Sequence, residues 1–455
     1  MTIAAVNPAT GETIRQYGGL SPTQLRTAIR GADKAFAGWS RTGFAERAAR
    51  MRSAADILRA NAARYAGLMA DEMGKPLAQG EAEAQKCAWV CEYYAEHAER
   101  FLAPEPVSTD ATTSFVTFQP LGVVLAVMPW NFPWWQVVRF AAPALMAGNV
   151  ALLKHASNVP GSALAIEELF RSAGFPPGVF TTLLIDSKQT KSVIRNKLVR
   201  AVTLTGSTAA GRAVAKLAGD RLKKTVLELG GSDPYLILAD ADLDAAVETC
   251  VASRLINSGQ SCIAAKRFIV VASVREEFER GFVERMRRAR VGAPREAGVD
   301  VGPLARADLR DELHGQVLAS VAKGARCLLG GEVPNGRGAY YPPTVLTDVR
   351  KGMPAYDEEL FGPVAAIIPV RDERAAIRVA NDSPFGLGAA VFTRDVARGE
   401  RIAARELEAG ACFVNAFVKS DPRLPFGGVK ESGYGRELSH FGIREFVNVK
   451  SVYVK

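Results

Sequence analysis

A cysteine in a loop of small and polar residues is the first candidate for chemistry. Cys262 ends the segment NSGQSC (257–262), directly after a predicted helix. Such a loop can open a thiol to a cleft, and a thiolate attacks a carbonyl carbon when its pKa is lowered or a base lies near. The residue types therefore predict a nucleophile at Cys262, with an inert thiol as the alternative interpretation.

A glutamate inside an apolar segment is the second candidate. Glu228 lies in LELGG (227–231), a strand-like run followed by two glycines. Burial of a carboxyl group raises its pKa, which suits a general base near neutral pH. The alternative is a salt-bridged glutamate at the end of a strand.

An asparagine between two prolines is the third candidate. Asn131 lies in PWNFP (129–133), at the carboxyl end of a predicted strand, where the prolines fix the backbone. A rigidly held amide N–H at that point could stabilise a developing oxyanion. A turn that only packs is the alternative.

A strand-to-helix turn supplies a candidate anion site. The segment TGSTAAG (205–211) includes Gly206 and Ser207 at the predicted helix start. Free N–H groups and the helix dipole suit a pyrophosphate there. The segment lacks the GxGxxG pattern, so it remains a weak signal when taken alone.

Alternating strands and helices must position these residues. Short apolar strands are predicted at 122–129, 150–156, 179–185, 201–206 and 224–231, with helices between them. This order is typical of a parallel sheet covered on both faces. The first hundred residues are predicted to be helical, and a second α/β region runs to about residue 428. The last residues, 445–455, are predicted to form a strand that pairs with another subunit or is otherwise covered.

Length and composition limit the function classes. A chain of 455 residues suggests two or three domains, and 48% hydrophobic with 23% charged residues excludes global disorder. Six scattered cysteines argue against a disulfide scaffold, and four isolated histidines argue against a zinc site. The uncharged stretch 111–138 is interrupted by prolines and polar residues, so no membrane span is predicted. The amino terminus shows no secretory signal pattern, which favours the cytoplasm.

The net charge of +9 would suit an acidic partner such as a nucleic acid, a membrane surface or an anionic metabolite. The densest basic run falls on one predicted helix at Arg285, Arg287, Arg288 and Arg290. No aromatic platform or nucleic-acid motif accompanies it, so it is interpreted as a solvated helix face. Neither a nucleic acid nor a membrane is predicted as a partner.

Six motifs together give a more specific signal. PWNFP, TGS (205–207), LELGG, NSGQSC, ELFGPV (359–364) and PFGG (425–428) occur in the order typical of the aldehyde dehydrogenase superfamily. The chain resembles this family over essentially its whole length. The resemblance implies an α/β fold with a Rossmann-type cofactor domain (1–102 and 119–229) and an α/β catalytic domain (230–435). It also implies a small β extension for oligomerisation (103–118 and 436–455) in a homodimer or homotetramer.

The resemblance also implies residue roles. Cys262 would be the nucleophile, Asn131 and the Cys262 N–H would form the oxyanion hole, and Glu228 would activate the hydrolytic water. Lys154 would hold the adenosine ribose. The remaining implied cofactor contacts are Trp130, Gly206, Ser207, Glu359 and Phe361.

One departure from the family pattern concerns the cofactor. The common NAD-preferring pattern has a glutamate three residues after the cofactor lysine, and this chain has Ser157 there. A serine removes the repulsion of a 2′-phosphate and can donate a hydrogen bond to it. The expected cofactor is therefore NADP, with NAD as the weaker alternative.

The substrate is expected from a narrower resemblance, to the short bacterial succinate-semialdehyde dehydrogenases. In that group an arginine after PWNFP helps to bind the substrate's distal carboxylate, and it corresponds here to Arg139. A salt bridge is the alternative for Arg139. Ser420, in the loop before PFGG, is a further expected substrate contact, and Trp135 is expected either to line the substrate tunnel or to pack beneath it. Ile256 replaces a second arginine of some relatives. The alternatives are glutarate semialdehyde, an uncharged aldehyde, or a CoA-acylating enzyme, against which Glu228 argues.

Overall fold

The amino-terminal part combines a hairpin with four helices in the computed structural model, which describes residues 2–455. Its elements are β1 (Thr2–Val6), β2 (Thr13–Gly18), α1 (Pro22–Trp39), α2 (Phe44–Ala60), α3 (Ala62–Met73), α4 (Leu77–Phe101), β3 (Glu105–Pro106) and β4 (Thr113–Pro120). The hairpin corrects the expectation that the first hundred residues are helical. Helix α1 starts at a capping box, in which Ser21 and Gln24 each accept a hydrogen bond from the other's backbone N–H.

Strands and helices then alternate as the apolar pattern predicts. The elements are β5 (Val123–Met128), α5 (Trp135–Met146), β6 (Val150–His155), α6 (Pro160–Ser172), β7 (Phe180–Thr182), α7 (Ser187–Arg195), β8 (Val199–Thr205), α8 (Thr208–Gly219) and β9 (Lys224–Glu228). These bounds agree with the predicted segments to within a few residues, apart from β7 and β9, which are shorter.

The second α/β region begins after two glycines. It contains β10 (Pro234–Ile237), α9 (Leu243–Leu255), β11 (Arg267–Val271), α10 (Arg275–Arg287), α11 (Ala307–Ala322), β12 (Arg326–Leu329), β13 (Thr344–Thr347), α12 (Pro354–Asp357), β14 (Val364–Val370), α13 (Glu373–Asn381), β15 (Phe385–Gly386), β16 (Gly388–Phe392), α14 (Val396–Arg405) and β17 (Ala411–Val414). The chain ends with β18 (Val429–Lys430), β19 (Gly433–Tyr434), α15 (Ser439–Arg444) and β20 (Val447–Val454).

The first large sheet has the strand order β19-β9-β8-β5-β6-β7. Its strands from β9 to β7 are parallel, and β19 is antiparallel to β9. Both faces are covered by helices, which explains why these strands are almost continuously apolar. Strand β19 comes from the segment that was expected to lie wholly in the catalytic domain, so the carboxyl-terminal chain returns to this sheet.

The second large sheet has the order β12-β13-β14-β11-β10-β16-β17. All its neighbours are parallel except the β12–β13 pair. Apolar clusters fill both of its faces. The fold is thus α/β, with two parallel sheets, and the loops described below either follow strands of the first sheet or precede strands of the second.

A third, three-stranded sheet has the order β20-β4-β3 and is antiparallel. The terminal strand therefore pairs within its own chain, with Thr113–Pro120. The expected extension segment 436–455 is not one strand, because helix α15 precedes β20. Side chains of β20 that face outward include Val449, Tyr453 and Val454. Across residues 2–455, none of the helices is both long enough and apolar enough to cross a bilayer.

Candidate active site

The loop that carries Cys262 has an unusual backbone. Asn257 and Ser258 adopt left-handed conformations, with φ of 53° and 56°. Such conformations cost free energy in residues with a side chain and persist only when surrounding contacts hold them. Here the Asn257 side-chain amide donates to Asn131 O at 2.7 Å, and Ser258 Oγ accepts from the Gly302 N–H at 2.9 Å. These contacts fix the path of the chain into Cys262.

The Cys262 thiol is half-buried at the wall of a cavity. Burial raises the pKa of this thiol to about 12, although the nearby charges of Lys266 and Arg139 act in the opposite direction. The thiol is therefore neutral at pH 7 in the free protein. Attack on an aldehyde requires that its proton be removed when substrate and cofactor are in place.

Asn131 lies beside this loop, after strand β5. Its side-chain amide donates to Gln260 O at 3.1 Å, and its Oδ1 has no hydrogen-bond partner among the described residues. A primary amide has two N–H groups, so one remains available to an oxyanion. His155 helps to fix the PWNFP segment, because its Nε2 lies 2.9 Å from Pro133 O and its Nδ1 accepts from the Ala156 N–H.

Glu228 ends strand β9 and is almost completely buried. Neither carboxyl oxygen has a hydrogen-bond partner within residues 2–455. Desolvation raises the pKa of this carboxyl well above its usual value; Arg139 acts against that shift and Glu437 adds to it. A buried carboxyl that has a raised pKa and no hydrogen-bond partner has the properties of a general base that works near neutral pH.

Two glycines of the recognised motifs make room for these groups. A Cβ at Gly231 would lie 2.8 Å from Cys262 O, and a Cβ at Gly427 would lie 2.8 Å from Glu228 Oε1. Both distances are too short for a real side chain. LELGG and PFGG therefore need glycine where the backbone approaches the nucleophile and the buried carboxyl.

Arg139 has a different environment from the one expected. Its guanidinium forms an ion pair with the buried Glu437 and lies 4.8 Å from the centre of the Phe426 ring. It lines the cavity, but a protein carboxylate already neutralises it. The substrate contact of Arg139 therefore stays a prediction, and a substrate carboxylate there would have to share this guanidinium with Glu437. Sequence reasoning missed Glu437, since a lone glutamate near the chain end gives no local sign of a partner on α5.

The shared arginine leads to a testable pH effect. Glu437→Gln leaves Arg139 facing Glu228 alone, so the pKa of Glu228 should fall and the acid limb of the kcat profile should move to lower pH. Loss of one charge from a buried pair should also lower the free energy of unfolding by about 3–5 kcal/mol. Urea denaturation and a pH–rate profile measure the two effects. An acid limb that stays in place would show that Glu437 does not influence the base.

The cavity beside Cys262 has a volume of about 470 Å³. Trp135 and Ser420 both line it, so the structure brings these two expected substrate contacts to the nucleophile. Lys86 of α4 also lines it, and its Nζ donates to Ser420 Oγ at 2.8 Å. Sequence reasoning missed Lys86, because a single lysine on a helix resembles any solvated residue.

A second cavity, of about 840 Å³, lies beyond the end of β6. Lys154 and Ser157 line it together, and so does Asp186, the residue that caps helix α7. Burial lowers the pKa of Lys154, and the charge of Asp186 opposes that shift. An ammonium and a hydroxyl on one wall fit the phosphate-bearing ribose of an adenosine.

Of the other expected cofactor residues, Trp130, Gly206 and Ser207 follow strands of the first sheet, whereas Glu359 and Phe361 precede β14 of the second. Ser207 caps helix α8 and accepts from the Ala210 N–H, with Gly206 directly before it. Trp130 and Phe361 form an edge-to-face pair with ring centres 5.8 Å apart. The carboxylate of Glu359 accepts from the Gly231 N–H and Lys266 Nζ, so a riboside would have to replace these donors.

The chain resembles known proteins over its whole length. Residues 1–452 match the aldehyde dehydrogenase family. A protein of Synechocystis sp., named probable succinate-semialdehyde dehydrogenase (NADP(+)), is 51% identical over 454 residues, with both chains fully covered. Succinate-semialdehyde dehydrogenase (NADP(+)) 1 of Mycobacterium bovis is 50% identical, again over both whole chains. The crystal structure of succinic semialdehyde dehydrogenase from Streptococcus pyogenes with NADP+ superposes with a TM-score of 0.97, at 38% identity and 99% coverage of both chains.

Proposed function

The chain belongs to the aldehyde dehydrogenase family, and from this membership we propose that it oxidises succinic semialdehyde to succinate, with NADP+ as the preferred cofactor and NAD+ as a weaker one. The observation that carries the substrate is the cavity that joins Cys262 to cationic side chains. Full-length relatives at about half identity, named for this activity, support the same substrate.

In this proposal the Cys262 thiol gives up its proton to solvent, and the thiolate attacks the aldehyde carbon to form a thiohemiacetal. The side-chain amide of Asn131 and the backbone N–H of Cys262 donate to its oxyanion. When bound, the cofactor supplies the acceptor for the hydride that leaves this carbon. The remaining thioester is then hydrolysed, with Glu228 taking a proton from the attacking water.

The residues assigned to the cofactor have distinct tasks. Lys154 and Ser157 bind the ribose end with its phosphate, and Gly206 and Ser207 present the start of helix α8 to the pyrophosphate. Trp130 and Phe361 enclose the nicotinamide end, where Glu359 would bind the ribose hydroxyls after release from Lys266.

The proposal also includes the domain organisation and the oligomeric state of the protein. Residues 1–102 and 119–229 form the cofactor domain, residues 230–435 supply most of the catalytic domain, and segments 103–118 and 436–455 serve assembly. The outer edge of β20 is the candidate contact in a homodimer or homotetramer, working in the cytoplasm. Light scattering of the purified protein tests the assembly: a monomer at micromolar concentration would contradict it.

An aldehyde panel with NADP+ and NAD+ in parallel tests the substrate and the cofactor. Succinic semialdehyde should give the highest kcat/KM, ahead of glutarate semialdehyde and butanal. Fastest turnover of an uncharged long-chain or aromatic aldehyde would overturn the substrate. A CoA-acylating reaction is the second candidate, and a strict requirement for added CoA would favour it.

Cofactor preference gives a separate prediction. Ser157→Glu places a carboxylate where the 2′-phosphate is expected, so the ratio of kcat/KM with NADP+ to that with NAD+ should fall by about tenfold or more, equal to ~1.4 kcal/mol. Ser157→Ala is the matched control, because it removes the hydroxyl without adding charge and should change the ratio less. An unchanged ratio in Ser157→Glu would reject the assignment.

A further inference from the structure

A buried ion pair from the amino-terminal helices contacts the segment PWNFP. Lys75 lies in the turn between α3 and α4, and Glu83 lies on α4. Their side chains are paired, with only 0% and 2% of their surfaces exposed. Burial of two charges costs free energy, which the pair recovers only when further contacts satisfy both groups. Both side chains should therefore have other partners, and these partners lie in PWNFP and directly after it.

The Glu83 carboxylate caps helix α5 from another helix. Its Oε1 accepts from the backbone N–H groups of Trp134 and Trp135, at 2.9 Å each. Trp134 is the N-cap residue of α5, and its own side chain has no oxygen that could accept from these groups. The negative charge of Glu83 is also favoured at this end of a helix by the helix dipole. The start of α5 is thus fixed by α4.

The rest of the segment is held as well. Lys75 Nζ lies 3.9 Å from the centre of the Phe132 ring, which is within the range of a cation–π contact. On the next residue, Pro133 O lies 2.9 Å from His155 Nε2. Together with the two N–H contacts of α5, each of the four residues after Asn131 therefore has a partner outside the segment. These contacts restrict the position of the Asn131 amide relative to the nucleophile.

We propose that the Lys75–Glu83 pair positions the oxyanion site. Through the start of α5 and the Phe132 ring, the pair sets the distance between the Asn131 amide and the Cys262 N–H. Two donors stabilise one oxyanion only when both reach it, so a displacement of ~1 Å can lower the rate by about 10²-fold. Lys75 and Glu83 are thus positioning residues. The inference rests on the proposed function, because it assumes that Asn131 donates to the oxyanion.

Two neutral replacements of the pair isolate the hydrogen-bond acceptor. Lys75→Met/Glu83→Gln, the acceptor-keeping variant, retains an oxygen for the two N–H groups of α5, whereas Lys75→Met/Glu83→Leu, the acceptor-free variant, removes it. Neither variant leaves an unpaired buried charge. Rapid mixing measures the rate of cofactor reduction in the first turnover. This rate should stay within about threefold of the wild type in the acceptor-keeping variant and fall about 30-fold in the acceptor-free variant. Equal rates in the two variants would overturn the proposal.

A double-mutant cycle with Asn131 separates positioning from general stabilisation. If the pair acts through the Asn131 amide, removing the acceptor in an Asn131→Ala background should lower the first-turnover rate by less than about threefold. A purely structural role would lower the rate by the same factor in both backgrounds, and that result would overturn the inference. An unchanged rate in Asn131→Ala alone would instead refute the oxyanion role in the proposed function, and with it the inference.

Arg59→Met/Glu92→Leu is the matched control, because it removes an ion pair that also joins α4 to a neighbouring helix. Its side chains are 39% and 42% exposed, so the first-turnover rate should stay near that of the wild type. Glu83→Asp keeps the charge for Lys75 and withdraws the oxygens by one methylene, which gives a second test if the acceptor-free variant does not fold. Its first-turnover rate should fall in the wild-type background and not in Asn131→Ala. Equal losses in both backgrounds would overturn the inference.

Discussion

Cys262→Ala will abolish aldehyde oxidation, with kcat lowered by about 10⁴-fold or more. No other thiol in the described chain lines the cavity, so nothing can replace the nucleophile. The fold should be retained, because the thiol makes no hydrogen bond within residues 2–455 that alanine would lose. Reduced-cofactor absorbance measures activity, and thermal unfolding confirms that the variant is folded.

Cys412→Ala is the control for this loss. Cys412 is also half-buried, but it lies in β17, outside the Cys262 cavity. It should keep nearly full activity. Activity in Cys262→Ala within about 100-fold of the wild type would show that another group attacks the aldehyde.

The raised pKa of the Cys262 thiol can be tested by chemical modification. Since the pKa of Cys262 in the free protein is about 12, few molecules carry a thiolate at pH 7. Alkylation by iodoacetamide should be slow at pH 7 and should accelerate with rising pH. Fast alkylation at pH 7 without substrate or cofactor would contradict a protonated resting thiol.

Glu228→Gln should separate the two halves of the reaction. The variant keeps the shape of the side chain and loses the base, so the acyl group should form on Cys262 and remain there. Rapid mixing should show a burst of one reduced cofactor per subunit, followed by turnover about 10³-fold slower than in the wild type. Stability should be equal or higher, because a buried carboxyl without a hydrogen bond is replaced by a neutral amide.

A rescue experiment and a control variant complete the test of Glu228→Gln. Hydroxylamine attacks a thioester without help from a base, so it should restore turnover in Glu228→Gln. Glu431→Gln is the control, since it removes a carboxyl from a surface pair with Arg212 and should behave as the wild type. A variant without a burst would place Glu228 in the first half of the reaction, as the group that deprotonates Cys262.

Local sequence patterns were sufficient to predict the sheets and much of the candidate active site. The apolar runs from 122 to 231 predicted the parallel strands, because a strand that is buried on both faces is apolar at nearly every position. The hairpin of β1 and β2 was missed, since β2 is largely exposed and its polar residues resemble a loop. Cys262, Glu228 and Asn131 were found because each has an unusual residue type for its local setting.

The missed residues depend on contacts between distant parts of the chain. Lys86 and Glu437 are ordinary residues in their own segments, and only the packing of α4 and the carboxyl terminus brings them to the cavity. The same reason explains why the ion-pair partner of Arg139 was missed. Its position after PWNFP was visible in the sequence, whereas the carboxylate that neutralises it was not.

The returning carboxyl-terminal chain has a consequence for biosynthesis. Residues made later complete a site built from residues made earlier: Gly433 pairs with Glu228, Glu437 neutralises Arg139, and Phe446 O accepts from Asn149. A nascent chain that has only folded its amino-terminal part must hold the Arg139 charge without its partner, at a cost of several kcal/mol. Chains terminated before residue 433 are therefore expected to be unstable substrates for proteases rather than partly active enzymes, so a reactive thiol reaches its working environment only after the segment 433–446 has been made.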